Sequence, residues 1–211
     1  MAHIPNSGQA TIIEELAQVI VANKAWLSEI DGKIGDGDHG SNMAKGFGRA
    51  AERVHGKDMT LDAALLVLSD VLMSEIGGSM GPLYGLMFED MATAIKGRAE
   101  IDAEAFSAML NAGLVGVQGV GNAQVGDKTL IDTLVPAVAA FDAAKVEGFA
   151  PALAAMAAAA EKGRDSTIDL VARIGRSSRL GERSRGVLDA GATSCWMILT
   201  SLGSSIHQRL V

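Results

Sequence analysis

Aromatic side chains make up only 4% of the 211 residues, too few for a sheet-rich core built on rings. Alanine, leucine, methionine and glycine dominate instead, the palette of closely packed helices. There is one cysteine, Cys195, so an internal disulfide is excluded. It lies in an apolar helical run and reads as a small buried hydrophobe, compatible with a reducing cytoplasm. The amino terminus has no basic region leading into an apolar stretch, which argues against secretion, and no apolar run reaches membrane-spanning length. Lysine and arginine number 18 against 25 aspartates and glutamates, and the net charge of −7 argues against a broad nucleic-acid surface. A small anionic ligand is compatible with that balance if a metal ion and a local arginine cluster set the field. No G-x-x-x-x-G-K-[ST] sequence is present, so a Walker-type phosphate loop is excluded.

Against these absences stands one dense stretch: Asp31-Gly32-Lys33-Ile34-Gly35-Asp36-Gly37-Asp38, followed at once by His39-Gly40-Ser41-Asn42. Carboxylates packed so closely repel one another, and folding alone gains little from that. A hard divalent cation such as Mg²⁺ or Ca²⁺ relieves it through carboxylate oxygens. The glycines let the backbone turn tightly enough for three side chains to converge. A solvated acidic loop that merely caps the next helix is the plainer alternative. An EF-hand is excluded: counted from Asp36, the fifth position is Gly40 and the twelfth, where a glutamate belongs, is Phe47. Magnesium on a few carboxylates usually keeps positions open for water and phosphate, so a Mg-nucleotide site is the better expectation. Lys33 and Lys45 are close in sequence but have no fixed place in such a site.

Phosphate-binding elements are then needed elsewhere. The run Ile76 to Gly85, with Gly77, Gly78, Ser79, Met80 and Gly81, is glycine-rich and precedes a helical pattern. A helix starting there offers free N–H groups and a positive dipole end to phosphate, although a tight interhelical turn needs the same glycines. Gly126-Asp127-Lys128-Thr129 combines a turn, an acid, a cation and a hydroxyl. Gly175 to Gly186 carries Arg176, Arg179, Arg183 and Arg185, whose forks suit phosphate oxygens, or balance charge in a solvent loop. Asp189-Ala190-Gly191 reads as an N-cap opening the last helix.

Apolar recurrence at three- and four-residue spacing gives about eight helices, near 8–29, 41–54, 60–75, 81–98, 102–119, 129–143, 148–173 and 190–209. The alanine-rich run 152–160 reads as a close-packed helix, and no strand is expected. At this length, one domain over 1–211 is the simplest organisation. Alternate loops of an up-down bundle lie at one end, so the four polar loops would converge in space.

Ordered along nearly the whole chain, these segments resemble the nucleotide-binding L subunit, or domain, of dihydroxyacetone kinases. The resemblance rests on Ile34-Gly35-Asp36-Gly37-Asp38-His39-Gly40-x-Asn42-Met43, Gly77-Gly78 and Gly81-Pro82-Leu83-Tyr84-Gly85. It continues through Gly126-Asp127-Lys128-Thr129, Leu180-Gly181-Glu182-Arg183-Ser184 and Asp189-x-Gly191-Ala192. It implies an all-α barrel of eight antiparallel helices with the nucleotide, ATP or ADP, at one end. It implies two Mg²⁺ ions on Asp31, Asp36 and Asp38, with phosphates against His39, Gly40, Ser41, Asn42, Ser79 and Met80. Gly121, Thr129 and Leu130 would line the adenine side, and Asp189 and Gly191 would close the other wall. Arg176 would stabilise charge at the transferring phosphate. Arg179, Arg185, Val187-Leu188 and Ala190 depart from the usual family residues, which leaves open whether the ketose is dihydroxyacetone or erythrulose-like. The expected activity is phosphoryl transfer from Mg-ATP to a short ketose held on a separate K-type subunit. The alternative is an ADP-retaining relay fed by a phosphotransferase-system protein, serving also as a regulatory binding module.

Overall fold

The structure, a computed structural model, describes residues 2–211. Helix α1 spans Ala10–Ala22, α2 Lys24–Ile34, α3 His39–Val54, α4 Leu61–Glu75 and α5 Met80–Ile95. Then follow α6 Ala103–Val120, α7 Ile131–Ala144, α8 Phe149–Ser166 and α9 Ala190–Gln208. Eight of these form a ring. From α3 to α9 each helix packs on the next, α9 packs on α1, and α1 packs on α3. Neighbours run antiparallel, so that Glu15 near the start of α1 pairs with Arg209 just past the end of α9 (2.5 Å). The eight-helix antiparallel barrel expected from the sequence is therefore the fold.

The ninth helix is a correction. The run expected as one helix over 8–29 breaks at Asn23, which caps both α1 and α2. Its side-chain amide donates back to the Val19 carbonyl at 2.8 Å while its own carbonyl accepts from Leu27 N–H at 3.0 Å. Asparagine competes in this way for backbone groups that a continuing helix would use. The consequence is functional, because α2 is freed from the ring and lies against α3 and α9 at one end. A second correction concerns 148–173, where the helix stops at Ser166 and the chain leaves as a long loop. Two three-residue strands were also not anticipated: β1 (His3–Pro5) pairs antiparallel with β2 (Glu100–Asp102) at the opposite end. Three residues are too few for alternation to show in a sequence.

The five phenylalanines are all buried, in two groups. Phe47 meets Phe88 edge-on, with Tyr84 stacked beside it, and Phe106, Phe141 and Phe149 form a triangle between α6, α7 and α8. Leucine, isoleucine, methionine and alanine fill the remainder. Among the described residues, no helix is long and apolar enough to cross a membrane.

Candidate functional site

Because ring helices alternate in direction, the loops 35–38, 76–79, 121–130 and 167–189 all emerge at one end, with the amino ends of α3, α5, α7 and α9. The acidic stretch is split between elements. Asp31 lies in the last turn of α2, Asp36 in the link, and Asp38 at the cap of α3. Gly37 makes this possible with φ +79°, a left-handed conformation that disfavours a side chain. One oxygen from each of the three carboxylates lies within 4.8 Å of the others. Three oxygens so close, two of the residues exposed, fit a hard divalent cation better than they fit one another. The cation that the chain itself brings to them is Arg176, whose guanidinium pairs with Asp36. Lys33 turns to Glu29 instead (3.0 Å), and Lys45 to the Glu75 carbonyl (3.3 Å).

Beside this trio is a cavity of about 400 Å³. Leu83, Val117, Leu130 and Ile174 give it an apolar wall, and Asp31, His39, Ser79 and Asp189 a polar end. Of the residues expected from sequence, Asp31, His39, Ser79, Met80, Gly121, Thr129, Leu130, Asp189 and Gly191 line it. Asp36, Asp38 and Arg176 stand outside that lining, Asp36 and Arg176 in an adjoining hollow with Arg179. Gly40, Ser41 and Asn42 occupy the first turn of α3 and do not line the cavity. Gly40 has a packing reason to be glycine: a Cβ there would strike the Lys24 carbonyl and the Ser28 side chain of α2.

The start of α5 has no side-chain cap and is receptive to anions, whereas the first N–H of α3 donates to the Asp31 carboxylate and that of α7 to Thr129 Oγ1 (3.2 Å). Asp38, Ser79 and Leu130 occupy their cap positions, and none accepts a cap hydrogen bond through its side chain. At α9 the cap is made: Asp189 accepts from Ala192 N–H at 2.7 Å. Burial pushes the Asp189 carboxyl up to about 6, against the pull of that bond and of Lys128. Burial likewise pushes the His39 imidazole down to about 4, opposed by the Asp31 carboxylate. His39 N–H donates to Asp31 at 3.3 Å, and its Nε2 lies 2.9 Å from Ser194 Oγ.

Lys128 is the residue whose role sequence reasoning missed most completely. Its φ of +64° turns the side chain inward, where it is fully buried. The ammonium donates to the carbonyls of Thr167, Leu170 (3.2 Å) and Val187 (2.6 Å), three acceptors for three N–H groups. This capture of Thr167 and Leu170 explains why α8 stops early. Burial lowers the Lys128 pKa, while Asp189 and Asp132 hold it up. Asp132, also buried, accepts from Gly126 N–H (2.6 Å) and Thr129 N–H (2.7 Å) and so shapes the turn. Tyr84, Ile174 and Ser177 line the cavity as well without having been singled out. A signal existed for Tyr84, the one tyrosine of the chain, inside the glycine-rich motif.

A DAK2 domain profile matches residues 33–204. The chain belongs to the DAK2 family, that of the dihydroxyacetone kinase L subunits. It is similar, at 35% identity over 94% of both chains, to the PEP-dependent dihydroxyacetone kinase 2, ADP-binding subunit DhaL, of Listeria innocua. The corresponding ADP-binding subunit of Escherichia coli is 37% identical, over 84% of this chain and 86% of that one. Among solved structures, the dihydroxyacetone kinase of C. freundii in complex with AMP-PNP and Mg²⁺ superposes with a TM-score of 0.70 at 26% identity. That match covers 93% of this chain but 33% of the other, so this DAK2 chain spans about a third of that longer kinase.

Proposed function

We propose that this chain is the nucleotide-binding, phosphoryl-transferring subunit of a short-ketose kinase. Its acceptor, dihydroxyacetone or an erythrulose-like ketose, would be held by a separate K-type subunit. The observation that carries the reading is the convergence of Asp31, Asp36, Asp38 and Arg176 beside a cavity walled by aliphatic side chains. A planar base suits the wall of Leu83, Val117, Leu130 and Ile174, and Gly121 and Thr129 stand beside it. Phosphates suit the polar end, near the first turn of α3 and the uncapped start of α5, with His39 and Ser79 at hand. Two Mg²⁺ ions on the three aspartates would neutralise phosphate oxygens, the charge compensation that phosphoryl transfer chiefly requires. Arg176 is free to exchange Asp36 for a phosphate oxygen and to stabilise developing charge there. Asp189 and Gly191 close the far wall.

Two phosphate sources fit this geometry. Relatives of matching length are described as PEP-dependent and ADP-binding, or as PTS-dependent in Lactococcus lactis, which supports retained ADP recharged by a phosphotransferase protein. The L-erythrulose 1-kinase of Mycolicibacterium smegmatis, 32% identical over 92% of this chain, supports the erythrulose-like acceptor. Mass analysis of gently purified protein reads the first question: stoichiometric ADP is expected for the relay, and its absence favours free exchange with ATP. Incubation with a K subunit, ketose and ATP alone then separates the two. Sustained turnover identifies ATP as donor, and no more than one turnover identifies the relay. No nucleotide binding under any condition would sink the assignment.

A further inference from the structure

From His39 in the cavity wall a buried polar chain runs through Ser194 and Tyr84, two residues that the proposed mechanism does not use. His39 Nε2 is 2.9 Å from Ser194 Oγ, and Ser194 Oγ is 2.7 Å from the Tyr84 hydroxyl. Both hydroxyls also reach the Gly191 carbonyl, each at 3.1 Å. Tyr84 and Ser194 are buried, so water does not compete for these groups. The chain joins the amino-terminal two turns of three helices, α3 through His39, α5 through Tyr84 and α9 through Ser194. The fourth amino end is tied in by Thr133 of α7, whose buried hydroxyl donates to the Ala192 carbonyl at 3.1 Å.

Counting protons gives the chain a direction. With Nε2 engaged by Ser194, Nδ1 is the ring nitrogen left for a ligand in the cavity that His39 lines. A neutral imidazole has one donor and one acceptor nitrogen. Facing a phosphate oxygen, Nδ1 has to be the donor, so Nε2 has to accept. Ser194 then gives its hydroxyl proton to Nε2, and Tyr84 donates to Ser194 Oγ or to the Gly191 carbonyl. Every donor and acceptor is satisfied in that arrangement. The opposite tautomer would aim a lone pair at the anion.

We propose that Ser194 and Tyr84 are positioning residues of the nucleotide site, fixing His39 as the Nδ1–H tautomer that donates to a phosphate oxygen. The inference rests on the nucleotide reading above. Its test uses the full chain, with Mg-ADP as probe, and reads both affinity and the ¹⁵N shifts of the His39 ring. In the wild-type complex Nδ1 carries the proton. Ser194→Ala weakens Mg-ADP binding about tenfold, and Tyr84→Phe about threefold, because Ser194 still donates to Nε2 in that variant. Because Ser194 acts through His39, Ser194→Ala has no further effect in a His39→Ala background, a non-additivity that a purely structural role would not produce. An Nε2–H tautomer in the wild-type complex overturns the proposal, as do additive effects in the double variant. Should Ser194→Ala fail to fold, Tyr84→Phe and the wild-type ring shifts decide alone. Failure of the wild-type chain to bind Mg-ADP overturns both readings together, whereas binding with unchanged affinity in Ser194→Ala overturns only this one.

Discussion

Individual side chains at this site have more than one claim on them. Asp36 is paired with Arg176 here, yet it also belongs to the carboxylate trio. The two residues would part when a metal and phosphates arrive, each finding a stronger partner. Removing either should therefore affect transfer far more than folding, since both are substantially exposed. We expect Asp36→Asn and Arg176→Ala to lower phosphoryl transfer by about a hundredfold or more, with melting temperatures near that of wild type. A coupled assay with the partner subunit, run beside a thermal melt, checks this, and wild-type rates in both variants would refute it. Asp189 allows a pH test. Its carboxyl holds its proton more tightly in the folded chain, at about 6 against an ordinary value of 3.8. Its contribution to stability is thus fully present below about pH 4 and is lost as pH rises through about 6. Asp189→Asn keeps an N-cap but removes the titration. The variant should gain on wild type between about pH 4.5 and pH 7.5 in urea unfolding. A difference between the two that stays constant with pH would show that Asp189 does not titrate there.

At the scale of elements, the long loop between α8 and α9 is knitted rather than loose. Besides the Lys128 ammonium, Ala172 N–H donates to the buried Ser184 hydroxyl (2.9 Å), Gly186 N–H to the Ile168 carbonyl (2.7 Å), and Asp189 N–H to Thr167 Oγ1 (3.0 Å). This loop carries Arg176, so its anchorage sets where the guanidinium stands. Lys128→Met would leave three carbonyls without their donor at a cost of about 2 kcal/mol or more. Hydrogen exchange should then quicken over 168–188 while the ring helices α4, α5 and α6 keep their protection. Uniform protection in the variant would remove Lys128 as the anchor. Helix ends show how far the sequence could be read. Apolar recurrence placed α4, α6 and α9 to within a residue or so, the last with Asp189 read as its cap, and in the structure Thr60, Asp102 and Asp189 accept from Ala63, Ala105 and Ala192 at those starts. The break at Asn23 was missed because apolar periodicity runs on through Leu27, Ile30 and Ile34, which are buried in α2 as their predecessors are in α1.

For the molecule as a whole, the ring makes the site a shared property of distant segments. A ligand that bridges several helix ends should stabilise all of them at once. Mg-ADP at a hundred times its dissociation constant would add about 2.7 kcal/mol, a rise of roughly 5–10 °C in melting temperature for a chain of this size. The rise should vanish when a chelator removes the metal, because the aspartates would then repel the phosphates. Equal shifts with and without chelator would mean that the carboxylate trio holds no ion under the nucleotide.

The amino-acid sequence by itself determined the chemistry that the chain can offer: three closely spaced carboxylates, glycine-rich turns ahead of helices, an arginine loop and an all-helical build. Those are local properties, set by side-chain type and by spacing of a few residues. The tertiary structure alone decided which groups meet. His39 finds Ser194 across 155 positions, and Tyr84 finds the same serine across 110. Lys128, in the cavity wall, ends with its ammonium against backbone carbonyls. Such pairings depend on how eight helices close into a ring, and ring closure depends on apolar packing summed over the whole chain. No short stretch of sequence carries that information.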